Sequence, residues 1–123
     1  MEWKFRPDVP IYTQLMEGFK LSIASGELSP GDKLKPVRDL AAWAGVNPNT
    51  MQRALGELER EGLLYTSRTV GRYVTGEHEA VERVKKELAA SRVADFLGYM
   101  TRLGYSKDEI KAIIEEEYDN ART

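Results

Sequence analysis

Val37-Arg38-Asp39-Leu40-Ala41-Ala42-Trp43-Ala44-Gly45-Val46-Asn47-Pro48-Asn49-Thr50-Met51-Gln52-Arg53-Ala54-Leu55-Gly56-Glu57-Leu58 is the stretch on which the architecture turns. Val37, Leu40, Ala41 and Ala44 keep the three-and-four spacing of one helix face, and Gly45 follows at once as a stop. Asn47 is suited to cap a new helix and Pro48 to its first position, where a missing N–H costs nothing. Met51, Leu55 and Leu58 then line one face of a helix predicted from Pro48 to about Glu61, with Gly62 available for a left-handed end. Two helices joined this tightly need a small residue where they nearly touch, a residue tolerant of positive φ in the turn, and an apolar residue inside the second helix. Ala41, Gly45 and Met51 supply these in order, which is a helix-turn-helix pattern. Such a triplet also arises by chance, so its weight depends on the surrounding chain.

On the N-terminal side, Ile11, Leu15, Phe19 and Ile23 repeat every four residues between Pro10 and Ser25, a first helix closed by Gly26. Ser29-Pro30-Gly31-Asp32 is a turn, and Lys33-Leu34 fits a very short strand. On the C-terminal side, Leu63-Leu64-Tyr65-Thr66 and Arg72-Tyr73-Val74-Thr75 are β-prone and separated by five residues, which predicts a hairpin, the wing of a winged helix. His78 to Leu103 contains no proline and reads as one long helix ended by Gly104, with a break of rhythm between Leu88 and Val93 that admits a bend near Ser91. Ser106-Lys107-Asp108-Glu109 has the capping-box form ahead of Ile110, Ile113, Ile114 and Tyr118, so a last short helix is expected. The fold class is mainly α with a small β-hairpin (α+β): a winged helix-turn-helix DNA-binding domain over residues 1–76 and an α-helical dimerisation tail over 77–123. Trp43 is expected to cover the first helix and Trp3 to staple the N-terminal arm.

Composition narrows the function classes. A chain of 123 residues holds one ordinary domain and an appendage, without room for a second catalytic domain. There is no cysteine, so disulfides, thiolate nucleophiles and thiolate metal sites are excluded together. Met1-Glu2-Trp3-Lys4 lacks the pattern of a signal peptide and no apolar run approaches a membrane span, so the expected home is a reducing cytosol, without a membrane partner. The single histidine, His78, sits in a Glu-rich helix start and reads as solvated. Glu115-Glu116-Glu117 reads as a solvated helix face rather than a cation site. No enzyme activity, catalytic residue, metal or cofactor is therefore expected. The formal net charge is −2, but residues 1–75 carry ten Lys/Arg against nine Asp/Glu and residues 76–123 eight against eleven, so the first part is the one suited to face phosphates.

Several ordered segments resemble the GntR family of regulators: Pro10-Ile11-Tyr12-x-Gln14, Ala24-Ser25-Gly26-Glu27-Leu28-x-Pro30-Gly31-Asp32-x-Leu34, Val37-Arg38-Asp39-Leu40-Ala41, Ala54-Leu55-x-x-Leu58-Glu59-x-Glu61-Gly62-Leu63 and Gly71-x-Tyr73-Val74. Asn47-Pro48-Asn49-Thr50-x-x-Arg53-Ala54, with Phe96-x-x-x-Met100-x-x-Leu103-Gly104-Tyr105-Ser106 in the tail, is similar to the YtrA branch of that family. The resemblance implies a dimeric, repressor-like regulator, often of transporter operons, whose tail serves dimerisation. The chain departs from the family pattern at Lys35-Pro36, where Pro-Ser usually supplies a helix cap, and at Arg68-Thr69-Val70-Gly71, where the wing usually reads Arg-Gly-x-Gly. The first change leaves the cap of the second helix to backbone and solvent. The second places branched side chains at a tip that often approaches the minor groove.

In a helix-turn-helix, the first turns of the second helix meet base edges while the first helix and the wing hold phosphates. Asn47, Asn49, Thr50, Gln52 and Arg53 are the candidates for the groove, because Met51, Ala54 and Leu55 face inward. Arg53 suits guanine O6/N7, and Gln52 or Asn49 suits adenine N6/N7. Arg38 matches the family's DNA-contacting arginine. Lys33, Lys35, Arg68 and Arg72 are placed to reach phosphates, with Gly71 in the wing's DNA-facing set. One recognition helix buries too little surface for tight specific binding, so a homodimer on a palindrome of double-stranded operator DNA is expected. The apolar positions Val81, Val84, Leu88, Val93, Phe96, Met100, Leu103, Ile110, Ile113 and Tyr118 are the candidates for that dimer face. Two alternatives stay open at this point: a winged-helix module that binds protein rather than DNA, and a regulator that senses a small ligand at the dimer tail. No effector can be read from the residues.

Overall fold

The computed structural model describes residues 3–68 and 71–122. Its elements are α1 (Ile11–Ser25), α2 (Val37–Ala44), α3 (Pro48–Arg60), β1 (Leu64–Ser67), β2 (Gly71–Val74), α4 (His78–Arg102) and α5 (Lys107–Ala121). They form two compact units, Met1–Lys86 and Glu87–Thr123, so the first turns of α4 belong to the first unit and the rest to the second. Among the described residues, five helices and one antiparallel hairpin make up the expected fold class. Thr69 and Val70, the wing-tip residues that depart from the family pattern, lie outside the described residues, as do Met1 and Glu2.

The first unit is a three-helix core with a hairpin. Leu15, Phe19 and Ile23 of α1, Leu40, Ala41 and Ala44 of α2, and Met51, Ala54, Leu55 and Leu58 of α3 are buried together, the inward stripes that the spacing predicts. The turn between α2 and α3 closes on Gly45 at φ +71°, with Val46 N–H donating to Ala41 O at 3.0 Å. A side chain with a Cβ would be strained there, which fixes glycine at that corner. α2 starts at Pro36 without a side-chain cap, as the missing serine implies, and relies on Leu40 N–H donating to Pro36 O at 3.0 Å. α3 ends when Leu63 N–H returns to Leu58 O at 3.0 Å across Gly62, whose φ is +79°.

That helix ending accounts for the small shift in the hairpin. Leu63 N–H is spent on α3, so β1 begins at Leu64 and the register runs Leu64 to Val74, Tyr65 to Tyr73, Thr66 to Arg72 and Ser67 to Gly71. Residues 31–34 lie along the other edge of β2. An isolated bridge pairs Lys33 with Tyr73, and Leu34 N–H donates to Arg72 O at 2.9 Å. The very short strand at Lys33-Leu34 is thus a single bridge that ties the 27–35 loop to the wing.

The N-terminal arm is fastened from two sides. The Gln14 carboxamide accepts from Arg6 N–H and donates to the carbonyls of Arg6 and Val9, each at 2.8 Å. Trp3 stacks on Phe5, tilts against Phe19 and meets Trp43 edge-on at 5.8 Å, so Trp43 reaches α1 through Trp3. Gly18 makes room for this: a Cβ there would lie 2.5 Å from the Trp3 ring. Ala80 and Val84 of α4 are buried in this same unit, and Arg83 Nη2 donates to Glu61 O at 3.1 Å beyond the end of α3.

In the second unit α4 runs uninterrupted through Ser91, so the break of rhythm after Leu88 does not interrupt the helix. The alanines at 89 and 90 favour helix and no proline opposes it. What changes there is cover, since from Val93 onward most large apolar side chains of the unit are exposed. α4 stops at Gly104, φ +92°. Ser106 and Glu109 close the expected capping box at the start of α5, with Ser106 N–H donating to Glu109 Oε1 at 2.9 Å and Glu109 N–H to Ser106 Oγ at 3.3 Å.

Candidate nucleic-acid interface

The site grows from the way α3 begins. Pro48 has no N–H, and the first bond of the helix ladder is Met51 N–H to Asn47 O at 3.1 Å. Between them only Asn49 and Thr50 have N–H groups to satisfy, and Asn47 Oδ1 accepts from Asn49 N–H at 2.7 Å. The first turn is therefore firm although it stands in solvent. Because Met51, Ala54 and Leu55 are buried, Gln52 and Arg53 between them and Asn49 ahead of them are turned outward and exposed, while Thr50 is half-buried. Positive dipole charge collects at this end of the helix, which favours a nearby anion.

The other candidate cations lie on neighbouring segments of the chain. Lys33, Lys35, Arg38 and Arg68 are all exposed, on the 27–35 loop, the start of α2 and the wing. Arg72 differs: its Nε meets Glu59 Oε1 at 2.5 Å, its Nη1 donates to Gln52 Oε1 at 3.3 Å, and its side chain is only 16% exposed. Thr66 Oγ1 also donates to Glu59. Burial pushes the Glu59 carboxyl up, but the hydrogen bonds from Thr66 and Arg72 and the Arg72 charge outweigh it and hold the group below its ordinary value. Arg72 is thus a brace between wing and α3, and a phosphate would have to compete with Glu59 for it. Gly71, at the described edge of the wing, has φ +120° and runs beside the Lys33 stem.

Arg53 lies with its guanidinium carbon 3.8 Å from the centre of the Tyr12 ring, and Ile11, Tyr12, Asn49, Thr50 and Arg53 line one shallow concavity between the start of α1 and the start of α3. Tyr12 and Glu59 carry no functional signal of their own in the sequence. Tyr12 lies in the Pro10-Ile11-Tyr12-x-Gln14 segment and Glu59 in the α3 pattern, but the distances that give them partners, 41 and 13 residues along the chain, are not visible in local spacing.

The candidate dimer residues divide into three sets by burial. Val84 is 1% exposed and belongs to the core of the first unit, while Met100 and Ile110 are buried within the second. Val81, Leu88 and Ile113 are half-covered, and Val93, Phe96, Leu103 and Tyr118 are exposed, together with Leu97, Tyr99, Tyr105 and Ile114.

A buried trihelical core, a firm polar helix start and a hairpin beside it define a winged helix-turn-helix of the DNA-binding class. None of the exposed large apolar side chains lies on α3, which disfavours the protein-binding alternative for that helix. The family model described as "Bacterial regulatory proteins, gntR family" matches residues 11–74, and the chain belongs to the GntR family. It is 36% identical to the uncharacterized HTH-type transcriptional regulator YhcF of Bacillus subtilis (strain 168), over 89% of this chain and 91% of that protein. It is 44% identical to the HTH-type transcriptional repressor YtrA of the same organism, over 57% of this chain and 54% of that protein. Among solved structures, a GntR family transcriptional regulator from Listeria monocytogenes superposes with a TM-score of 0.84 at 36% identity, covering 91% of this chain and 98% of that one. The DNA-binding domain of AraR in complex with operator ORX1 superposes with a TM-score of 0.55 at 27% identity, covering 61% of this chain and 99% of that one. The chain is a YtrA-like, DNA-binding transcriptional regulator of this family. No helix among the described residues is long and apolar enough to cross a membrane.

Proposed function

We propose that the protein acts as a homodimer on a two-fold symmetric operator and represses transcription there, in the cytosol where such DNA lies. The observation that carries the reading is the outward polar edge of α3: Asn49, Gln52 and Arg53 are exposed on a capped helix start, and Lys33, Lys35, Arg38 and Arg68 are exposed elsewhere on the same unit. Arg53 and Gln52 or Asn49 read base edges, while Arg38, Lys35, Lys33 and Arg68 hold phosphates and set the register. Asn47 and Thr50 shape the helix start, and Gly71 brings the wing backbone close. Repression is supported by the repressor YtrA among the relatives.

Residues 1–76 carry DNA binding and 77–123 dimerisation, with the opening turns of α4 completing the core of the head. The dimer is supported by the tail's surface: Val93, Phe96, Leu97, Tyr99, Leu103, Tyr105, Ile114 and Tyr118 all stand exposed within a unit of 37 residues, and exposed apolar side chains gathered in one small unit suit a partner surface. Two half-sites one helical turn apart then multiply two modest contacts into a specific one. The test is selection of bound duplexes from a random pool at two salt concentrations. A symmetric motif, with affinity falling steeply as salt rises, is expected. A protein that enriches no sequence would overturn the proposal.

A further inference from the structure

Arg53 is a long side chain on an exposed face, and a free arginine there would sample many rotamers. Instead its guanidinium lies 3.8 Å from the centre of the Tyr12 ring. A guanidinium that lies over a ring engages it with its flat face and keeps its N–H edge available. A carboxylate partner would take up those same donors and cancel the charge. Tyr12 is the second residue of α1, whose Leu15, Phe19 and Ile23 are buried in the core it shares with α3, so the ring is carried by a fixed platform. It also shares one concavity with Asn49 and Thr50, the residues at the start of α3.

We infer that Tyr12 is the positioning residue for Arg53: the ring presets the guanidinium toward the groove, so base discrimination by α3 depends on a side chain of α1. The inference rests on the proposed reading that the start of α3 faces base edges. Holding the side chain before binding removes part of the ordering cost that a flexible arginine meets on the DNA. An exposed cation–π contact of this kind corresponds to about two- to fivefold in affinity. That is the size of effect expected on discrimination, with little on non-specific binding.

The experiment uses the full chain with Tyr12→Phe, Tyr12→Leu, Arg53→Ala and the double variant Tyr12→Leu/Arg53→Ala. Each is titrated with the selected operator, with single-base-pair variants of it and with an unrelated duplex, and the chemical shifts of the Arg53 side chain are recorded in the free wild-type protein. Expected are an upfield ring-current shift of the Arg53 methylene protons, wild-type behaviour for Tyr12→Phe, and loss of discrimination by Tyr12→Leu at the base pair that Arg53→Ala also affects. Adding Tyr12→Leu to Arg53→Ala should change discrimination no further. Equal weakening on every duplex by both Tyr12 variants would assign the tyrosine hydroxyl to a phosphate and overturn the inference. Tighter operator binding by Tyr12→Leu would show that the ring holds Arg53 away from the DNA, and would overturn it too. Should Tyr12→Leu fail to fold, an absent ring-current shift in the wild-type protein is sufficient to reject the pair. A wild-type protein without sequence preference defeats the reading of the interface itself. A selective protein whose Tyr12→Leu variant keeps full discrimination defeats only the role of Tyr12.

Discussion

Substituting Asn47 in two ways separates the stability of α3 from its use. Asn47→Ala removes the acceptor that holds Asn49 N–H at 2.7 Å, leaving the first turn with neither a proline N–H nor a capped one. Loss of such a cap costs about 1 kcal/mol. In a unit of this size that lowers the melting temperature by roughly 4–8 °C. Asn47→Asp keeps the acceptor and adds negative charge at the positive end of the helix, a contribution of about 0.3–1 kcal/mol in favour of folding. The same charge faces the phosphates: at ~6 Å in water it opposes one by about 0.7 kcal/mol per protomer. For a dimer that amounts to roughly a tenfold rise in Kd. Thermal unfolding at one fixed protein concentration, which matters for a dimer, and fluorescence anisotropy with labelled operator at fixed salt measure the two effects. The expected pattern is an alanine variant that melts early and an aspartate variant that melts at or slightly above the wild-type temperature but binds weakly. An aspartate variant that binds as tightly as wild type would refute the placement of this helix end against the DNA backbone. One that melts as early as the alanine variant would refute the capping argument.

Arg53→Ala should relax preference at one base pair per half-site by about 1–3 kcal/mol, whereas Lys35→Ala should weaken all duplexes alike and flatten the salt dependence. Two variants with identical profiles across duplexes and salt would contradict the assignment. Glu59→Gln should cost about 1 kcal/mol at neutral pH. Because the folded carboxyl is held below its ordinary value, that stability is present above the usual carboxylate range and is lost as pH falls through the lowered folded value. The gap between wild type and Glu59→Gln in denaturant midpoint should therefore close in acid, and an unchanged gap near ~pH 3 would rule the linkage out. Phe96→Glu combined with Leu103→Glu, both exposed in the single chain, should halve the mass seen by light scattering. Operator affinity should drop by about 10²-fold or more through lost bivalency. A dimer that persists in this variant would place the interface elsewhere.

Much of the interface was legible because it is local. The inward stripe Met51, Leu55, Leu58 dictates that Asn49, Gln52 and Arg53 point out, and helical period alone settles that. Asn47 before Pro48, Gly45 at positive φ and the Ser106–Glu109 box are likewise short-range chemistry, and each is met in the structure. The tail shows where such reading stops. Its apolar positions form one set of dimer candidates by sequence, yet Val84 is closed within the first unit, Met100 and Ile110 within the second, and Leu103 and Tyr118 stand 57% and 64% exposed. Periodicity says that a side chain needs cover and not which surface supplies it.

The order of helices, their caps and the polar edge of α3 follow from residues at most a few positions apart, whose geometry the backbone fixes without help from distant chain. The partners of Arg53, Arg72 and Trp43 were decided only when α1, the wing and the N-terminal arm came to rest against the helix-turn-helix. Arginine in particular carries the same charge whether it meets a phosphate, a carboxylate or a ring. Its role is set by whichever of these folding places within its reach.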